Sequence, residues 1–213
     1  MRPADPPPVQ LRALLPAALS LLTIDREPAG VSAESSAHEL AKLKRLATVA
    51  LDLSRALGDD LRLFAALSDY LSDRHFAELV LDLPTRLVHA KQTDSALAVA
   101  RAFEFIAPDK LRGDRAVALA RAGRREDAVA LVAENLEHAD DIPLAEAKAG
   151  DVYRALGEDD AAEAYYRRSL SEAKTPFERS EAVLRIVSLL SDTGRLSDAT
   201  QFLAEERRRA GKP

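Results

Sequence analysis

The chain has 213 residues, no cysteine and no tryptophan, 5% aromatic residues, and a formal charge of −5 from 30 basic and 35 acidic side chains. Without cysteine there is no disulfide framework, no thiolate nucleophile and no thiolate-bound metal. Alanine (40) and leucine (33) fill 73 of the 213 positions, and the β-branched and aromatic residues that strands favour are scarce, which excludes an all-β fold and predicts an all-α one. The charge is evenly spread, with 12 basic against 14 acidic residues over 1–107 and 18 against 21 over the rest. That leaves no basic half for nucleic acid and no acidic tail.

Residues 1–8 (MRPADPPP) are half proline and are expected to be extended and disordered. Residues 9–24 read as an amphipathic helix, kinked near Pro16, that packs on the rest of the protein. Its apolar positions Leu11, Leu14, Leu15, Ala18, Leu19 and Leu22 recur at helical spacing. The run lacks a small-residue cleavage site, Asp25, Arg26 and Glu27 follow it directly, and it falls short of the roughly 18 residues of a membrane span. Residues 25–36 (DREPAGVSAESS) read as a linker ending in a helix N-cap at Ser35 or Ser36.

From residue 37 onward, helical runs alternate with short breaks. Gly58, Gly123, Gly157 and Gly194 each follow an apolar run and precede a charged cluster, and Lys91 stands near the midpoint of the first interval. Glycine enters the left-handed conformation that ends a helix because it has no Cβ to clash. Acidic residues then suit the first turn of the next helix, at the positive end of its dipole. An alanine follows each of the last four breaks by five residues (Ala96, Ala128, Ala162, Ala199), where a small side chain lets two helices approach. After Gly58 that place falls to Leu63, so the pair over 37–76 is degenerate. Pro84 lies within a helical run and is expected to bend or break it.

Residues 143–176 resemble a tetratricopeptide repeat (TPR) through Gly150, Tyr153, Gly157, Ala162 and Tyr166, with Pro176 closing. Residues 77–108 are similar through Leu87, Ala96, Ala100, Phe103 and Pro108, and 109–142 through Ala116, Leu119, Gly123, Ala128 and Val132. Residues 177–211 follow through Gly194, Ala199 and Leu203. The resemblance implies a right-handed α-solenoid of four to five antiparallel helix pairs after the N-terminal helix. Stacking lets each pair cover the apolar face of the next. Tyr153, Tyr165 and Tyr166 are read as packing residues, and the closing AEERRRAGKP as a polar capping helix with Arg207, Arg208 and Arg209 at its negative end.

No chemistry stands out along the chain. His38, His75, His89 and His138 do not pair at the three- or four-residue spacing of metal ligands, and no phosphate loop, GxSxG, HExxH or calcium-loop pattern occurs. The pairs Asp59–Asp60, Asp140–Asp141 and Asp159–Asp160 lie in turns, as helix caps would. The expectation is a protein without catalytic activity, cofactor, metal, nucleic-acid partner or membrane span.

In TPR proteins the first helix of each pair lines a concave groove that holds partner peptides. The resemblance assigns Lys110, Arg121, Lys148, Asp151, Arg154 and Arg185 to those inward positions. The set is mostly basic, so it predicts a groove for acidic segments or a peptide's terminal carboxylate, with arginines giving directional bonds. The positions that form the two-carboxylate clamp of chaperone-binding TPR domains carry Ala147 and Asp151 here, so chaperone-tail binding is not implied. The function expected is a protein-interaction scaffold or adaptor. The alternative is a structural protein that forms homo-oligomers through its N-terminal helix or an end repeat. The Ala-, Leu- and Arg-rich composition and the absence of cysteine point to a bacterial, cytoplasmic protein.

Overall fold

In the computed structural model, residues 9–27, 34–71 and 74–210 are described, and the expected disordered start at 1–8 lies outside them. Among the described residues every regular element is an α-helix, and none is long and apolar enough to cross a membrane. The chain divides into two compact units, Met1–Ala118 and Leu119–Pro213.

The first unit opens with α1 (Val9–Arg12) and α2 (Leu15–Asp25). The helix expected over 9–24 is therefore two helices, not one kinked helix. Proline lacks the N–H that would continue the ladder and crowds the carbonyl four residues back, so the helix restarts with Pro16 in its first turn. Restarting also moves the apolar face: Leu21 and Ile24 join Leu11, Leu14, Ala18 and Leu22 in the core, while Leu19 is half exposed. Of the expected linker 25–36, Asp25 still belongs to α2, residues 28–33 lie outside the described part, and α3 (Glu34–Leu57) is under way before either serine. Serine is tolerated in a first turn as well as at a cap, so it could not fix the first residue.

The unit continues through α4 (Leu61–Leu71), α5 (Arg74–His89), α6 (Thr93–Phe103) and the start of α7 (Pro108–Arg121). Helix α3 packs on α2, α5 and α6, and α5 on α2, α4 and α6. Phe64, Phe76 and Phe103 meet in this core, with Phe64–Phe76 ring centroids 5.6 Å apart and Phe64–Phe103 6.5 Å. Of the bend or break expected at Pro84, the break does not occur: α5 runs through the proline as one helix. The lost hydrogen bond there is offset by burial of Val80, Leu83 and Leu87 around it.

The second unit begins in the last turn of α7 and holds α8 (Arg125–Glu137), α9 (Ile142–Ala155), α10 (Asp159–Glu172), α11 (Pro176–Asp192) and α12 (Leu196–Ala210). Each helix packs on its successor, and α9 also touches α11. The core gathers Ala162, Tyr166, Leu170, Ile186, Leu189, Leu190 and Phe202. Pro176 opens α11 behind a capping box: Thr175 Oγ1 accepts from the Glu178 N–H, and the Glu178 carboxylate accepts from the Thr175 N–H. Those contacts, led by the backbone N–H of Lys174, hold the Glu178 pKa below its usual range. Asp141 caps α9 and Asp60 caps α4, as their pairs implied, whereas Asp159 and Asp160 lie within the first turn of α10, behind a Glu158 that makes no side-chain cap bond.

The breaks share one geometry. At residues 91, 123, 157 and 194 the backbone is left-handed (φ 58°, 75°, 77° and 77°). The N–H of the following residue bonds the carbonyl five back, as in Gln92→Leu87 at 2.8 Å and Glu158→Tyr153 at 2.9 Å, which is the Schellman arrangement. Ala96, Ala128, Ala162 and Ala199 then bond the first carbonyl of the new helix and are buried. The break after α3 differs: Gly58 and Asp59 are both left-handed, which delays the next helix by one residue. The buried side chain in the alanine's place is Phe64, not Leu63.

Lys91 occupies this conformation with a Cβ, at a cost of about 1 kcal/mol. Because it is exposed, Lys91→Gly is expected to stabilise the first unit by about 0.5–1 kcal/mol, with a raised urea midpoint as the readout. An unchanged or lower midpoint would show that the lysine side chain carries a compensating contact.

Candidate functional site

Helix α9 is built of small residues: Ala145, Ala147, Ala149 and Gly150 are buried together with Val152, which admits α8, α10 and α11 close against it. Its polar residues Lys148, Asp151 and Arg154 recur at three-residue steps and so share a stripe that faces α11. The structure brings these three together with Arg185.

Asp151 is the hub. Its Oδ1 accepts a 2.8 Å hydrogen bond from the Tyr166 hydroxyl of α10 and lies 3.4 Å from Nε of Arg185, while Lys148 Nζ lies 4.0 Å from Oδ2. Burial and the adjacent Asp151 charge both push the Tyr166 pKa far above its usual value, so this hydroxyl stays a donor. Burial alone would lower the pKa of Arg185, but the carboxylates of Asp151 and Glu181 outweigh it and hold the guanidinium charged. Arg185 Nη1 donates to Glu181 Oε2 at 2.9 Å, one turn back on α11. Arg154 donates to Ser188 Oγ at 3.3 Å and pairs with Asp192, both on α11.

The residues read from the sequence as a basic set thus acquire acidic neighbours. Lys148, Arg154 and Arg185 stand against Asp151, Glu181 and Asp192, three charges of each sign. Glu181 could have been found from its four-residue spacing to Arg185. Asp192 and Ser188 had no such signal, because they meet Arg154 across a helix pair. Arg121 lies exposed in the last turn of α7. Lys110 belongs to the first unit, where its Nζ lies 3.2 Å from Asp114 and 3.3 Å from Asp82.

Beside this ladder, α11 turns Phe177 and Leu184 to solvent, 74% and 63% exposed. Two turns apart, they lie on one side of the helix. A second aromatic group flanks α9 and α10, where Tyr153 and Tyr165 stack at 5.0 Å and the Arg168 guanidinium sits 4.0 Å over the Tyr165 ring. The arrangement offers donors, charge and apolar contact. Among the described residues no three His, Asp or Glu side chains gather as a metal site.

No family model matches the chain, and no curated protein matches it significantly.

Proposed function

We propose that the chain is a TPR-like helical-repeat scaffold, a right-handed solenoid of antiparallel helix pairs, that binds a partner peptide or protein without catalysis. Support for the repeat reading comes from the four Schellman breaks, each followed at the same offset by a buried alanine. The observation that carries the binding reading is the exposure of Phe177 and Leu184 on α11 beside the α9–α11 charge ladder. Two apolar anchors two turns apart, edged by charges of known order, suit an extended or helical segment. Acidic side chains on that segment would be received by Arg154 and Arg185 in exchange for their internal partners.

Reversing Lys148, Arg154 and Arg185 together would set a buried carboxylate against Asp151 in place of the Lys148 ammonium. The cleaner variant is Phe177→Ser with Leu184→Ser, whose side chains lie outside the core. With a photocrosslinking residue at position 180, which is exposed on α11, wild type is expected to trap one defined protein in cells. The double variant should lose that adduct at least about tenfold, with unchanged melting. An adduct of equal yield in the double variant would refute the reading.

Self-assembly is the second reading, resting on the exposure of Val9 at 80% and Leu196 at 63%. It predicts sedimentation of the full chain at a multiple of 23.1 kDa.

A further inference from the structure

The connection between α6 and α7, in the first unit, borders a cleft of about 360 Å³. It is lined by Arg101 from the last turn of α6, Glu104 and Phe105 from the connection, and Arg112 and Arg115 from α7. Arg112 and Arg115, three residues apart, share a face of α7. Glu104 bridges them, with Oε1 3.2 Å from Nε of Arg112 and Oε2 on Nη1 of Arg115. Arg101 is exposed, and its guanidinium enters no hydrogen bond or ion pair among the described residues. With Asp59 at the rim, three guanidiniums face two carboxylates, leaving a net positive cleft on a chain of charge −5.

The walls are set in advance. The Glu104 N–H bonds Arg101 O at 3.4 Å, the Ile106 N–H bonds Phe103 O at 2.9 Å, and the Leu111 N–H bonds Ala107 O at 3.0 Å. Phe105 stacks on the buried Phe103 at 6.4 Å between centroids. A guanidinium carries five N–H donors in a fixed fork matched to carboxylate and phosphate. The shared Glu104 carboxylate does not use the capacity of the Arg115 fork, and Arg101 adds a second.

We propose that this cleft binds a small organic anion through its phosphate or carboxylate oxygens. The oxyanion bridges Arg101 and Arg115, its organic body lies along Phe105, and Glu104 is the internal carboxylate it competes with. The volume exceeds that of a bare phosphate and falls in the range of small-molecule sites. The site is independent of the α9–α11 ladder, so either proposal can fail without the other.

The test is isothermal titration of the full chain with inorganic phosphate and, separately, with citrate, at ionic strength matched with sodium chloride. Wild type is expected to saturate with at least one anion: phosphate alone assigns the site to phosphate esters, and citrate alone to carboxylates. Arg101→Gln should weaken binding about fivefold, as loss of one exposed charge-assisted contact does, with its ligand-free melting unchanged. Glu104→Gln should tighten binding by a similar factor, because it removes the competing charge. Absence of saturation with both anions, equal affinity in Arg101→Gln, or weaker binding in Glu104→Gln would each overturn the proposal.

Discussion

Gly150→Ala is expected to destabilise residues 119–213 by about 2–3 kcal/mol, the cost of forcing extra volume into a packed core. A Cβ built at Gly150 lies 2.4 Å from Cε1 and 2.5 Å from Cδ1 of Tyr166. That ring is fully buried, and its hydroxyl is tied to Asp151 at 2.8 Å. The ring cannot turn away without losing the hydrogen bond on which the α9–α11 ladder is centred. Gly157→Ala is the control: its added Cβ meets nothing within 4 Å, and only the φ of +77° opposes it, at about 1 kcal/mol. Urea unfolding should therefore rank wild type, Gly157→Ala and Gly150→Ala in falling order. Combining Gly150→Ala with Tyr166→Leu, which clears the ring, should cost less than the sum of the two single changes. Strict additivity would show that the two residues do not press on each other.

The second large effect is expected at Asp25, the last residue of α2. Its carboxylate is 11% exposed and receives His75 Nε2 at 2.6 Å and Arg86 Nη1 at 2.7 Å, both from α5. Lys42 of α3, itself buried, donates to the carbonyls of Asp25 and Glu27 at 2.7 and 2.9 Å. An ammonium there meets the negative end of the α2 dipole. Asp25→Ala should destabilise the first unit by about 2–3 kcal/mol at pH 7, because it removes charged hydrogen bonds and leaves their donors partly buried. Burial alone would raise the Asp25 pKa, but hydrogen bonds from Arg86 and His75 outweigh it and hold the carboxyl below its ordinary range. A depressed carboxylate stabilises the fold above its unfolded pKa and ceases to do so as the pH falls through the folded value. The gap in urea midpoint between wild type and Asp25→Asn should therefore narrow between pH 5 and pH 3, and a gap constant over that range would refute the assignment.

The parts of the fold legible in the sequence are those with local causes. A left-handed helix end followed by a small residue at a fixed offset leaves a pattern within ten residues, and it located even the break at Lys91, which has no glycine. The same rule misplaced Phe64 by one position, because nothing in the string GDD marks Asp59 as a second left-handed residue. The Asp25–Arg86 pair spans 61 positions, and its partners come from a helix end and from the interior of α5. Periodicity cannot see such a contact. The ladder residues of α9 were legible as a stripe, but their charge balance was not, since Asp192 reaches Arg154 only through packing. For Lys110 the two cases divide: Asp114 stands four residues on and was legible by spacing, whereas Asp82 reaches it only through packing.

The aromatic residues are divided unevenly, and this gives each unit a distinct optical identity. There is no tryptophan, and of four tyrosines three (Tyr153, Tyr165 and Tyr166) lie in the second unit, which leaves Tyr70 in the first. The aromatic core of the first unit is phenylalanine. Tyrosine emission and near-ultraviolet dichroism are therefore weighted three to one towards residues 119–213, and a Tyr70→Phe variant removes the first unit's share, while far-ultraviolet dichroism follows helix in both units. Melting curves from the two signals that coincide would mean one cooperative transition. Curves that separate would give the stability of each unit without an attached label.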